Sequence, residues 1–257
     1  MGEMNVTPMT ISWIVFVCVF AGALLGIVLR RILPKHHLSE DSKDVVKLGM
    51  GLIATMAALV LALLIASAKS SHDTQSTEVT EMSADFILLD RTLARYGPET
   101  KDMRGLIPVT IATILDQTWM GDAYRSENLD RALGAAAEPF YEKMRHLEPR
   151  DDFQRALYAQ TMQIGMELGQ KRSLLLEETG GSIPAPFLVV LVFWLALIFA
   201  SFGLFAPTNL TVVGVLLACA LSVAGAIFLI LELDRPFQGL LQISSTPLHN
   251  ALMHLGR

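Results

Sequence analysis

The sequence predicts an all-α polytopic membrane protein, with four transmembrane helices in two hairpins and an extramembrane helical bundle inserted between them. Three observations carry this. The 257 residues are 52% hydrophobic and only 18% charged, with a mean hydropathy of +0.46, more apolar than a soluble domain of this length requires. Four runs, residues 11–29, 48–68, 187–205 and 210–231, have no charged side chain and reach the roughly 20 residues that a helix needs to cross about 30 Å of hydrocarbon. Residues 69–184, between the second and third runs, repeat their apolar positions at helical spacing and nowhere alternate at period two.

The first run is expected to be an uncleaved anchor. Residues 1–10 contain no Lys or Arg, and Arg30-Arg31 follow the run where a cleaved leader would have small residues. The second run has neither a Pro nor a cap between Leu48 and Arg95, so it should continue unbroken into the helical domain, turning from uniformly apolar to amphipathic near Lys69. Tyr96-Gly97-Pro98-Glu99 closes that helix and opens the next. Ser126-Glu127-Asn128-Leu129-Asp130 and Glu148-Pro149-Arg150-Asp151-Asp152 start two more. Apolar positions such as Leu106, Val109, Ile111, Ile114 and Leu115, or Phe153, Leu157, Met162, Met166 and Leu168, recur along them. Gly180-Gly181-Ser182-Ile183-Pro184-Ala185-Pro186 reads as a hinge into the third span. Ala206-Pro207-Thr208-Asn209 forces the third and fourth spans into an antiparallel hairpin. Residues 238–247 alternate like a short extended segment, and a last amphipathic helix is expected over 247–253. The domain boundaries are 1–68 for the first hairpin, 69–184 for the helical domain, 185–232 for the second hairpin and 233–257 for an interfacial tail.

Arg30, Arg31, Lys35, Lys43 and Lys47 crowd the first connection, which the positive-inside rule places in the cytoplasm. Both termini and the helical domain are then expected outside. A net charge of −5 and no basic stretch with interleaved aromatics argue against a nucleic-acid partner. The two cysteines, Cys18 and Cys219, fall inside apolar runs and suggest neither a disulfide framework nor a zinc site.

Candidate functional residues lie in three places. Gly51, Thr55, Ala58, Ala62 and Ala66 share one face of the second span, which leads to Ser70, Thr74, Thr77, Glu78 and Glu81. Such a stripe suits a pore-lining helix, with Glu78 and Glu81 as vestibule charges, and it equally suits a closely packed helix with a solvated end. Glu232, Asp234 and Arg235 sit at the end of the last span before the helix-breaking Pro236, either as a structural or gating network or as an interfacial anchor. Gly22 with Gly26, and Gly214, Ala218, Ser222 and Ala226, form flat faces that let neighbouring helices approach, within one chain or between chains. His36-His37 beside Glu40, Asp41 and Asp44 lack the spacing of a metal-ligand pair on one helix face. Glycine-rich phosphate loops, nucleophile elbows and zinc-protease helices are missing from the sequence, so neither an enzyme nor a cofactor is expected. The Asn5-Val6-Thr7 and Asn209-Leu210-Thr211 triplets match the glycosylation pattern formally, the second of them against a span.

Leu231-Glu232-Leu233-Asp234-Arg235-Pro236-Phe237-Gln238-Gly239, continuing into Ile243-Ser244-Ser245-Thr246-Pro247, resembles the signature of a bacterial membrane family called bestrophin-like. Glu148-Pro149-Arg150, Tyr158 and Arg30-Arg31 are similar to that family's pattern too, so the resemblance runs the length of the chain. The family's name implies a distant likeness to bestrophins, which are oligomeric anion channels with a cytosolic helical region and cytosolic termini. The charge distribution of this chain points the other way, and its second span has no Phe, Tyr or Trp to form an aromatic neck. The expected function is that of a homo-oligomeric, channel-like protein of the bacterial inner membrane, with the lipid bilayer, further copies of itself and an inorganic ion as partners. A non-conducting sensory or interaction module that uses its helical domain is the alternative.

Overall fold

The structure, a computed structural model, describes residues 7–33, 40–120, 126–178, 183–207 and 209–256. Among these residues every regular element is helical: α1 (Pro8–Ile32), α2 (Glu40–Tyr96), α3 (Lys101–Leu115), α4 (Ser126–Arg145), α5 (Asp152–Glu178), α6 (Ala185–Phe205), α7 (Leu210–Leu233) and α8 (Thr246–His254), with a 3-10 turn at Pro98–Thr100 and a π-helical turn at Asp116–Met120. Four of them, α1, α2, α6 and α7, are long and apolar enough to cross a membrane. The chain divides into two compact units, Met1–Ser70 with Ser182–Asp234, and Ser71–Gly181 with Arg235–Arg257. The His36-His37 pair, Lys35, Asn5 and the Gly180-Gly181-Ser182 part of the expected hinge lie outside the described residues.

In the first unit, α1 starts where Thr7 accepts a hydrogen bond from the Thr10 amide and Pro8 occupies the first turn, a position where the missing N–H of proline costs nothing. It packs on α6 and α7, burying Val15, Val19 and Ala23 against Phe199, Leu216, Ala220 and Ile227. Glycine brings α1 and α6 together. A Cβ on Gly22 would come within 2.6 Å of the Ala196 carbonyl oxygen, a Cβ on Gly26 would run into the carbonyl of Ala200, and one on Gly203 into that of Ala23. This close approach maximises van der Waals contact where lipid gives no hydrophobic drive between helices. Arg30 caps the arrangement by donating to the Ala206 carbonyl. A second cluster joins Ala57, Leu64 and Ala68 of α2 to Leu191 and Ile198 of α6 and Ile230 of α7.

The helix α2 is 57 residues long. It begins before the apolar run, in a charged turn where Lys47 pairs with Asp44 at 3.2 Å. It ends at Gly97, whose φ of +142° only glycine adopts readily. There the Thr100 hydroxyl donates to the carbonyl oxygens of Leu93 and Gly97 at 2.6 and 2.8 Å, satisfying acceptors that a helix end leaves open.

In the second unit, the last part of α2 packs with α3, α4, α5 and α8 around Leu93, Met103, Ile107, Ile111, Met144 and Leu248. The start of α5 is fixed by a reciprocal cap, the Gln154 amide donating to Asp151 at 2.7 Å and the Gln154 side-chain oxygen accepting from the Arg150 amide at 2.8 Å. Gln154 also donates through Nε2 to the Tyr96 carbonyl at 3.0 Å, tying α5 to the end of α2. The extended segment expected over 238–247 does not form: residues 238–245 turn irregularly, closed by the Ile243 amide donating to the Pro236 carbonyl at 2.7 Å, and Thr246 and Pro247 already open α8. The final helix then buries Leu248 and Ala251.

Candidate functional site

In the first unit, α2 is packed along one edge only. Ala57, Leu64 and Ala68 are buried, whereas Gly51, Thr55, Ala58, Ala62 and Ala66 are all exposed. Gly51 has nothing within 4 Å of where a Cβ would stand. The Thr55 hydroxyl donates within its own helix, to the Gly51 and Leu52 carbonyls at 2.8 and 2.9 Å, which uses its proton and leaves the oxygen as an acceptor. Leu52, Leu59 and Leu63 border this stripe and are exposed as well. On α7, Gly214, Ala218 and Ser222 are exposed and Ala226 is half-buried.

The acids that follow the stripe in sequence, Glu78 and Glu81, fall in the second unit. Glu81 comes within 3.1 Å of Lys171 on α5, and Asp85 within 2.7 Å of the same ammonium. Burial lowers the Lys171 pKa, but hydrogen bonds to Asp85 and Glu81 more than offset this and hold it above the ordinary lysine value. Glu78 is half-buried.

At the end of α7, Glu232 is buried at 6% exposure, Asp234 is half-buried at the helix end with its amide donating to the Ile230 carbonyl at 3.1 Å, and Arg235 is half-buried at the start of the tail. None of the three lacks a partner. The next two residues, Pro236 and Phe237, are both buried. The Phe237 ring meets Trp119 edge-on, with ring centroids 5.1 Å apart. Trp119 in turn donates through its indole nitrogen to the Ile243 carbonyl at 2.8 Å.

Sequence reasoning missed what Phe237 and Trp119 enclose. The second unit contains a hollow of about 120 Å³, lined by aromatic and aliphatic side chains from α2, α3, the π-helical turn, α4, α5 and the tail, with Arg172 as the charged residue in the lining. Gly165 and Gly169 form its α5 wall, and the Tyr141 hydroxyl donates to the Gly165 carbonyl at 2.9 Å. The one available signal was local: glycines four apart inside a helix, on the face that carries Leu168 and Arg172.

Neither the curated proteins nor the solved structures include a match to this chain. A Bestrophin-like domain profile matches residues 17–248, which takes in α1 from its third turn, all of α2 to α7, and the tail as far as Leu248. The chain belongs to the Bestrophin-like family.

Proposed function

We propose that the chain is the subunit of a homo-oligomeric pore of the bacterial inner membrane that conducts ions passively, with α2 turned toward the path. The observation that carries this reading is the uncovered stripe Gly51, Thr55, Ala58, Ala62 and Ala66, set opposite the packed edge of the same helix. A helix that faced only lipid would gain contact from large side chains. Small residues there allow several copies of α2 to approach around an axis and leave a lumen. The uncovered Gly214, Ala218 and Ser222 on α7 offer a second close-packing face to a neighbouring copy.

In this reading Glu78 and Glu81 are vestibule charges, with Glu81 partly balanced by Lys171. Glu232, Asp234 and Arg235 act as a structural or gating network at the end of the last span, where buried charge is expensive and therefore purposeful. The second unit stands outside the membrane, and the Lys and Arg count puts it, with both termini, on the extracytoplasmic side. Conduction asks for no catalytic group, and we assign no reaction. A second reading, a non-conducting membrane-anchored sensory module, is favoured by one observation, the aromatic-lined hollow of the second unit.

Disulfide cross-linking tests the arrangement. In a chain with Cys18 and Cys219 replaced by Ala, Ala62→Cys should give covalent dimers on mild oxidation in the membrane, while Ala57→Cys, on the packed edge, should not. Monomer alone from Ala62→Cys would remove α2 from the axis. For sidedness, Arg150→Cys replaces an exposed side chain, and a membrane-impermeant thiol reagent should label it in intact cells.

A further inference from the structure

We propose that the hollow of the second unit is a binding site for a small apolar monocarboxylate, a molecule with one ring or a short hydrocarbon chain and an anionic end. The site is independent of the pore reading and would serve a channel or a sensory module alike.

Its shape is built in. Gly165 and Gly169 stand one turn apart on α5 where larger side chains would fill the space. A Cβ on either would make only ordinary contact with the Tyr141 ring, at 3.5 and 3.9 Å from its hydroxyl. Sterics therefore do not demand glycine at these positions, and what the two glycines provide is room. The walls are held by polar atoms bonded elsewhere. Tyr141 is fixed through the Gly165 carbonyl and Trp119 through the Ile243 carbonyl, so their rings stay in place with or without an occupant. Thr118 and Trp119 reach the lining from the π-helical turn at Asp116–Met120, a local geometry that recurs at functional sites.

Size and polarity select the ligand. An engineered apolar cavity of about 150 Å³ accepts benzene, so 120 Å³ suits a single ring or a chain of about five carbons. The lining is apolar except for threonine hydroxyls, the tyrosine and Arg172. The Thr110 hydroxyl is already committed to the Leu106 carbonyl at 3.1 Å. Arg172 follows Gly165 and Gly169 on the same face of α5; it already has a partner within the chain, and the five donors of its guanidinium fork leave capacity for a carboxylate beside it. An apolar body lies in the hollow and the carboxylate meets Arg172. A few convergent polar groups in an apolar concavity is the usual form of a small-molecule site.

The experiment uses the full chain purified in detergent, with Trp13→Phe and Trp194→Phe leaving Trp119 as the fluorophore. Hexanoate and benzoate are titrated, with benzyl alcohol as the neutral analogue of benzoate. The expected result is a saturable change in Trp119 emission with each carboxylate, weakened at least tenfold by Arg172→Gln, while benzyl alcohol binding is unaffected by that change. Gly169→Leu, which fills the hollow, should abolish the response to all three. If that variant does not fold, the carboxylate-induced rise in unfolding temperature, present in the parent chain and lost in Arg172→Gln, decides instead. No saturable response in the parent chain, equal loss of carboxylate and alcohol in Arg172→Gln, or a phospholipid tail found in the hollow by native mass spectrometry would each overturn the proposal.

Discussion

Arg104 on α3 holds Asp90 on α2 through two parallel hydrogen bonds, Nε to Oδ1 at 2.7 Å and Nη2 to Oδ2 at 3.0 Å. The Asp90 side chain is 5% exposed and Arg104 26%, and the Gly256 amide adds a third donor to the carboxylate at 3.2 Å. The pair therefore joins two helices and the end of the chain. Burial alone would raise the Asp90 pKa. The Arg104 hydrogen bonds, the Gly256 amide and the nearby guanidinium charge outweigh it and hold the carboxyl below its ordinary value. The hydrogen bond to Asp90 raises Arg104 further above its own.

Removing one partner of such a pair leaves a buried charge uncompensated, so Arg104→Ala should destabilise the second unit by about 3 kcal/mol. The sign of the pH dependence follows from the lowered Asp90 value. Stability from the pair is complete above the unfolded carboxylate value, about 4, and is lost as pH falls through the folded value below it. Thermal unfolding followed by circular dichroism should show the gap between wild type and Asp90→Asn shrinking below that range. A gap that stayed constant on acidification would mean that the pair is not what holds these helices.

Lys171 provides a second tie, bonding Asp85 and Glu81 from α5 at 2.7 and 3.1 Å. Hydrogen bonds to charged groups contribute about 1.5–3 kcal/mol each, and partial exposure places the loss for Lys171→Met near the lower figure. Amide hydrogen exchange should show faster opening of α5 around residue 171 and unchanged protection in α1 and α6. Because the folded Lys171 value is raised, the contribution persists through neutral pH and disappears only as pH climbs through that value.

Glycines that look alike in sequence should behave in opposite ways. Gly26→Leu would drive a side chain into the Ala200 backbone and force α1 from α6, at a cost of about 3 kcal/mol or a failure to accumulate. Gly105 is exposed on α3 with nothing within 4 Å of a Cβ, and Gly105→Ala should stabilise the chain by up to about 1 kcal/mol. Comparing the unfolding temperatures of the two purified variants checks both signs at once.

What could be read from the sequence divides along physical lines. The spans were legible because hydrocarbon imposes an unbroken apolar run, and α2 was legible as one helix because nothing before Gly97 interrupts it. Helix neighbours were not. Gly22 and Gly26 announced a close approach, but only packing shows that Ala196 and Ala200 of α6 receive it. Glu81 followed the lining stripe by spacing, yet the charge beside it, Lys171, lies 90 positions later in the chain. The Asp234-Arg235-Pro236-Phe237 motif drew the eye to its charges. The structure adds that its phenylalanine is a wall of the hollow, facing a tryptophan whose π-helical turn has no sequence signature. Asp90 and Arg104 were passed over because each, alone, reads as a charge on a solvated helix face.

Ion flux through liposomes containing the purified, size-defined oligomer tests the central claim most directly, with potassium and chloride gradients imposed separately. The account predicts flux in at least one gradient, abolished by Thr55→Trp, which puts a bulky ring on the uncovered face of α2 without touching its packed edge. A well-folded oligomer that passes neither ion, or one whose flux ignores Thr55→Trp, would contradict it.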